Sequence, residues 1–259
     1  MHKLPLSLCL IVKNEAKNLE RCLDGISKLA NEILVLDNGS DDGTQEVAQV
    51  LGAQVFSNEW DEDFSAARNL LLEKAQNDWI LWIDADEHYP QPLLDEIEEK
   101  IKSGTDFAGF YFPRRNYYLG RWLKYGGNYP DYQLKLFRKS SSGGFLGRVH
   151  EKVKLDGRTG KMKNYCEHFP YPTIKDYMKK FHYYTDLDAK KLKDSGVNIS
   201  VINTLKWLVL KPFGRVFKRY ILKGGFLNGF PGIFAVFFDG AGYIVRYLKL
   251  WELYNKDNL

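Results

Sequence analysis

The chain predicts an α/β fold, a mostly parallel sheet flanked by helices. Apolar, strand-like runs alternate with helix-spaced segments through the first 112 residues. One run, Trp79-Ile80-Leu81-Trp82-Ile83, is almost continuously apolar, as befits a strand buried on both faces. Polar side chains collect where strands run out: Asn14, Asp37, Asp84 and Asp86. In open α/β sheets ligands gather at that edge.

Residues 6–12 read as the first strand. The run stops at Lys13, Asn14 and Glu15 with no small-residue cleavage site after it, so it reads as a strand and not as a leader. Residues 15–26 carry Leu19, Cys22, Leu23 and Ile26 at helical spacing. A strand over 33–36 ends at Asp37, followed by a helix over 44–51, a strand over 53–56 and a helix over 64–75. After the strand over 79–83 comes a helix over 92–102 with Pro92 at its start, then a strand over 108–112.

From Tyr117 to about Tyr171 aromatic, glycine and basic residues dominate, with strands expected over 133–138 and 151–155. A helix is expected over 174–192, with Tyr177, Phe181, Tyr184 and Leu187 on one face. An apolar helix over 199–210 should be bounded by Pro212. Residues 226–245 read as a re-entrant or packed hairpin, because Asn228, Pro231, Asp239 and several glycines interrupt the run.

At 44% hydrophobic and 27% charged, the composition is that of an ordinary globular protein. Cys9, Cys22 and Cys166 are odd in number and scattered, which argues against a disulfide framework or zinc site and suits a reducing cytoplasm. The net charge of +4 is unevenly spread: residues 161–223 hold 14 Lys or Arg against 5 Asp or Glu.

Asp84-Ala85-Asp86 is the sharpest motif. Ionised carboxylates left unpaired are costly to bury. At an open strand end they can hold a hard divalent cation, and the cation can hold a diphosphate. Glu87 is either a further oxygen donor or a solvated loop charge. His168 either completes the metal shell, contacts phosphate or is structural. Asp37-Asn38-Gly39-Ser40-Asp41-Asp42-Gly43-Thr44 suits a tight turn in which Ser40 or Asp41 caps the next helix. Asp37 there either accepts an N–H from a base or simply shapes the connection. Arg68, near the start of the 64–75 helix, is a planar fork for phosphate or an ordinary surface arginine. Asp131 and the pair His150-Glu151 are the acid–base candidates.

Lys206, Lys211, Arg215, Lys218, Arg219 and Lys223 alternate with Trp207, Phe213, Phe217 and Tyr220. That mixture suits an anionic leaflet, or else its aromatics pack on the main domain. No nucleic-acid partner is expected, because the acidic strand ends suit a metal–diphosphate better than a polyanionic backbone.

Together these residues resemble an inverting family-2 glycosyltransferase of the GT-A fold. Ser7 to Glu15 resembles its first strand and turn, 37–44 its second-strand motif, Ala67-Arg68-Asn69 its helix start and Asp84-Ala85-Asp86 its metal motif. The resemblance implies a GT-A-type, Rossmann-like sheet with a helical, basic-aromatic C-terminal extension. It implies a UDP-sugar donor and a divalent cation, Mn or Mg. Asn14, Glu15, Asp37, Arg68 and Asp84 would meet the nucleotide sugar. Asp84, Asp86 and His168 would hold the metal, and Glu151 or Asp131 would act as base. Residues 129–138, 147–151 and 220–229 are similar to a bacterial subgroup that includes lipopolysaccharide core β-1,4-glucosyltransferases. That implies UDP-glucose, a lipid-linked inner-core acceptor and a cytoplasmic enzyme held peripherally on the inner membrane.

The division implied is 1–172 for the catalytic domain and 173–259 for a membrane-associating region. Within the first, 1–112 would bind nucleotide sugar and 113–172 would face the acceptor. Two positions depart from the pattern. His150-Glu151 stands where many members have Glu-Asp, so Glu151 is assigned by approximate position. Lys13 precedes Asn14 where an aromatic residue is commoner. The rival readings are a same-fold transferase acting on a protein, polyprenyl-phosphate or capsule acceptor, and a non-catalytic sugar-nucleotide or membrane-binding module.

Overall fold

A computed structural model describes residues 3–58, 64–147 and 152–255. The chain divides into two compact units. One comprises Met1–Arg114 and Asp131–His168, the other Arg115–Pro130 and Phe169–Leu259.

In the first unit β1 (Leu4–Val12), β2 (Ala30–Asp37), β3 (Gln54–Ser57) and β4 (Trp79–Trp82) pair in parallel. Next in the chain are β5 (Glu87–His88), β6 (Gly109–Tyr118), β7 (Arg121–Trp122) and β8 (Asp131–Arg138). β9 (Ser142–Leu146), β10 (Lys152–Leu155), β11 (Thr159–Lys161) and β12 (Cys166–Tyr171) follow. The sheet order is β3-β2-β1-β4-β8-β6-β12-β5, with β7 and β11 also on β6. β8 runs antiparallel to both β4 and β6, whereas β9 and β10 form a separate pair.

Alternation along β1 shows why the sheet is covered on both sides. Leu6, Leu8 and Leu10 enter one core with side chains of α2 (Ile26–Leu29) and α5 (Gln91–Lys102). Cys9 enters the other, with Leu34, Ile80, Trp82 and the Ala67 and Leu71 side chains of α4 (Phe64–Lys74). All three cysteines are buried and free. The expected 15–26 helix is two helices, α1 (Ala16–Leu23) and α2, because Gly25 takes a φ of 74° between them. Completing the first unit, α3 (Thr44–Val50) follows the Asp37 loop.

In the second unit α6 (Ile174–Asp194) opens on a capping box between Thr173 and Asp176. Its Tyr177 packs against Tyr118, Tyr171, Phe181, Phe234 and Phe238. From Val201 to Leu222 the chain is helical throughout, contrary to the expected stop at Pro212. α7 (Val201–Leu205) and α8 (Lys211–Phe217) are joined by a π-helical turn at Lys206–Leu210, and a second π turn follows at Lys218–Leu222. The Lys211 N–H bonds the Lys206 carbonyl, five residues back. Pro212 falls in the first turn of α8, where the hydrogen-bond ladder is already changing register, so its missing N–H is tolerated.

The expected hairpin over 226–245 is also corrected. A short 3₁₀ turn, Gly225–Asn228, leads into one helix, α9 (Phe230–Asn255). Pro231 sits in its first turn, where its N–H would have no partner. The Asp239 carboxylate is neutralised by Arg215 and by Arg219 Nη1 at 2.7 Å. Gly240 is a contact and not a turn: a Cβ there would lie 2.6 Å from Val216 Cγ2. No described helix is long and apolar enough to cross a membrane.

Gly109 opens β6 at a close approach. A Cβ there would lie 2.9 Å from both the Leu136 carbonyl oxygen and Leu155 Cδ1. Gly109→Ala is expected to cost about 1–3 kcal/mol and lower Tm by a few degrees. An unchanged melting curve would show that the β6–β8 pair relaxes freely.

Candidate active site

The parallel register aligns the strand ends. Val12 stands opposite Asp37, and the Ile83 N–H bonds the Cys9 carbonyl at 3.1 Å. β8 runs against β4 with Leu81 opposite Leu136, so β8 begins at the edge where β4 finishes. Asn14, Asp37, Asp84 and Asp131 therefore share one edge of the sheet.

Two loops at this edge are tied together. Asn14 has a φ of 58°, a conformation Asn tolerates better than most residues. Its Oδ1 accepts from the Asp41 N–H at 2.9 Å, and its own N–H donates to Ser40 Oγ at 2.8 Å. The Glu15 N–H donates to Thr44 Oγ1 at 2.9 Å, and Glu15 Oε2 accepts from Asn18 Nδ2 at 2.6 Å. Asp42, rather than Ser40 or Asp41, serves the start of α3, accepting the Thr44 N–H at 3.1 Å. Asp37 is fully buried and accepts from the Ser40 N–H at 3.1 Å, Gln45 Nε2 at 2.6 Å and the Ser40 hydroxyl. Burial pushes its carboxyl pKa up, but the Ser40 and Gln45 hydrogen bonds prevail and hold it below the usual value. Beside it Asn38 Oδ1 is buried and accepts no hydrogen bond among the described residues.

Beneath Asp84 lies a lysine that sequence reasoning missed. Lys135 is 4% exposed, and its Nζ donates to Asp84 Oδ2 at 2.6 Å and Glu87 Oε2 at 2.8 Å. Phe110 pairs with Leu136 but Tyr111 pairs with Leu134, so β8 carries one extra residue here. The bulge leaves Lys135 out of the ladder, a device that re-aims side chains beside functional sites. Burial lowers the Lys135 pKa, but attraction to Asp84 and Glu87 outweighs it and the net shift is upward. Burial likewise pushes the Asp84 carboxyl up, while Lys135 and Arg68 bring it down to about 2. Asp84 is therefore a carboxylate at any physiological pH.

Glu87 is not a solvated loop charge. It is wholly buried and also accepts the Tyr89 hydroxyl at 2.7 Å and the Asp84 N–H at 3.2 Å. Arg114 approaches Glu87 Oε1 at 3.6 Å and pairs with Asp131 Oδ2 at 2.9 Å. Gln133 Nε2 donates to the other Asp131 oxygen at 2.7 Å. His150 and Glu151 lie outside the described residues.

β12 lies antiparallel to β5 with His168 opposite Glu87. That placement brings His168 Nε2 to 3.4 Å from Asp86 Oδ1. Among the described residues no three His, Cys, Asp or Glu side chains form a ready metal shell. Asp84 and Asp86 nonetheless place two carboxylates at this edge, and hard cations commonly take one or two carboxylates and fill the remainder from phosphate and water. Arg68 is not an ordinary surface residue: its guanidinium lies 4.7 Å from the Trp82 ring centroid and 5.1 Å from that of Phe145. Asn69 fixes this arrangement by bonding both the N–H and carbonyl of Phe145, at 2.8 and 3.1 Å.

Removing the Lys135 ammonium would leave Glu87 buried with its nearest cation at 3.6 Å. Lys135→Met is expected to cost about 3–5 kcal/mol in urea denaturation. Adding Glu87→Gln should recover part of that loss, and strictly additive costs would show that the two charges are not coupled.

The sequence matches the family profile described as Glycosyl transferase family 2 over residues 7–165. An uncharacterised glycosyltransferase of Rickettsia prowazekii is 26% identical, covering 98% of this chain and 91% of the relative. A lipopolysaccharide core biosynthesis glycosyltransferase of Rhizobium meliloti, LpsC, is 28% identical over 75% of this chain and 74% of the relative. A TPR repeat-containing protein of Synechococcus elongatus is 48% identical over 39% of this chain, which spans only 24% of that longer protein. Among solved structures, the mannosyltransferase PcManGT of Pyrobaculum calidifontis, in complex with GDP-Man and Mn2+, superposes with a TM-score of 0.56. That match covers 97% of this chain and 88% of the other at 13% identity, a likeness of fold. With its mostly parallel sheet of GT-A type and a profile match over more than half its length, the chain belongs to glycosyltransferase family 2.

Proposed function

We propose that this glycosyltransferase moves a hexose, glucose first among the candidates, from a UDP-sugar to a lipid-linked saccharide, with inversion. The acceptor proposed is the lipopolysaccharide inner core, met by a cytoplasmic enzyme held peripherally at the inner membrane. One observation carries the donor half of this reading: Asp84, Asp86 and His168 stand at the end of β4 beside a buried ammonium that keeps Asp84 ionised. The Rhizobium relative named for lipopolysaccharide core biosynthesis supports the acceptor half. The Pyrobaculum structure, which contains GDP-Man and Mn2+, supports a nucleotide sugar with a divalent cation.

In this reading residues 1–112 bind the donor, 113–172 face the acceptor and 173–259 meet the membrane. Asn14, Glu15 and Asp37 hold the nucleoside, and the open Asn38 Oδ1 offers an acceptor for a base N–H. Arg68 presents guanidinium edges to the diphosphate while its face rests on Trp82 and Phe145. Asp84, Asp86 and His168 would hold Mn or Mg, which when bound neutralises charge developing on the departing diphosphate. Glu151, or Asp131 in its place, takes the acceptor hydroxyl proton. The acceptor oxygen bonds the anomeric carbon as the bond to the diphosphate breaks, and UDP leaves. A single displacement of this kind inverts the anomeric centre.

Calorimetric titration of UDP-glucose, UDP-galactose, UDP-N-acetylglucosamine and GDP-mannose, each with and without Mn²⁺, tests the donor site. Metal-dependent binding of one UDP-sugar is expected, and binding of none of them would overturn the reading. Asp86→Ala should lower transfer by about 100-fold or more with an unchanged melting curve. Turnover like that of the wild type would remove Asp86 from the metal site.

A further inference from the structure

We infer that the helix over 201–222 lies in the plane of an anionic bilayer, with one apolar face inserted. Val201, Leu205, Val209, Phe213, Phe217 and Ile221 recur every four residues, and all are exposed, between 46% and 87%. In a regular α-helix each step of four over-rotates by about 40°, so five steps would carry Ile221 about 200° round from Val201. The two π turns cancel this drift. Their bonds reach five residues back, as from the Lys223 N–H to the Lys218 carbonyl at 3.0 Å, so each wide turn under-rotates. The result is one continuous apolar stripe.

The opposite face is occupied within the same unit. Trp207 is buried and stacks on Tyr247 of α9, and Val216 meets Gly240. The stripe is thus the face left over after the helix has packed. Charge names its occupant. Residues 195–238 contain six Lys or Arg and no Asp or Glu. Lys206 and Lys218 are exposed and follow directly on the stripe residues Leu205 and Phe217. Apolar residues flanked by lysines and free of carboxylates match an anionic leaflet, where each cation adds attraction and each buried side chain adds hydrophobic gain. A transmembrane span is not an alternative use, since no described helix is long and apolar enough.

This inference deepens the membrane-bound acceptor proposed above, but its test needs neither donor nor acceptor. Full-length protein is floated with vesicles of phosphatidylcholine alone or with phosphatidylglycerol. The wild type should float with the anionic vesicles and at least about tenfold less with the neutral ones. Phe213→Glu/Phe217→Glu and, separately, Lys206→Glu/Lys218→Glu should each reduce flotation about tenfold or more, with donor affinity unchanged. Wild-type protein that stays unbound on anionic vesicles would overturn the inference, as would full flotation of the phenylalanine variant. So would a wild-type dimer that the phenylalanine variant converts to a monomer, which would make this face a contact between copies. Flotation without any donor binding would leave the surface standing and remove the proposed function; donor binding without flotation would do the reverse.

Discussion

The sheet edge is organised around an ammonium buried beneath it. An isolated charge at the depth of Lys135 would be prohibitively costly, so Asp84 and Glu87 must both stand beside it. Their positions then follow. Glu87 holds the Asp84 N–H and the Tyr89 hydroxyl, Arg114 reaches both Glu87 and Asp131, and β5, β6 and β8 are joined through side chains. Rigid placement of Asp84 is thus a consequence of charge burial and not of the loop's own preference. In this cluster Asp84, Asp86, Glu87 and Asp131 face Lys135, Arg114 and Arg68. Carboxylates and cations are thus interleaved at this edge, each acid within reach of a base.

What was legible in the sequence is what local chemistry decides. Strand ends betray themselves because an apolar run must stop at the first ionised side chain, which is how Asp37 and Asp84 were found. Lys135 was not found, because its meaning depends on a partner 51 residues away and on the β8 bulge. A signal was present: Lys135 stands between Leu134 and Leu136 in a strand whose other face is core. The solvated-loop alternative for Glu87 fails for a related reason. A carboxylate after a turn is usually solvated, and only the antiparallel β12 and the lysine below make this one internal.

The helices after residue 200 show how breakers lose their meaning in context. Pro212 and Gly240 ordinarily end or loosen a helix. Here Pro212 falls at a change of hydrogen-bond register, and the missing Cβ of Gly240 admits Val216. A four-residue apolar repeat drifts round a regular α-helix, so it marks one helix face only once the π turns compensate the drift.

Charge is segregated along the chain for a physical reason. In the proposed reading the carboxylates at the strand ends attract a cation, and beside an anionic leaflet they would be repelled and their cation drawn to lipid phosphate. In the same proposal the segment over 195–238 has the opposite requirement, and a single carboxylate on its exposed face would weaken attraction to the leaflet. Asp239, the first acid after that segment, is held by Arg215 and Arg219 and presents no net negative charge. A chain with both proposed tasks would have to keep these two fields apart, because exposed charges within a Debye length, about 8 Å, act on one another.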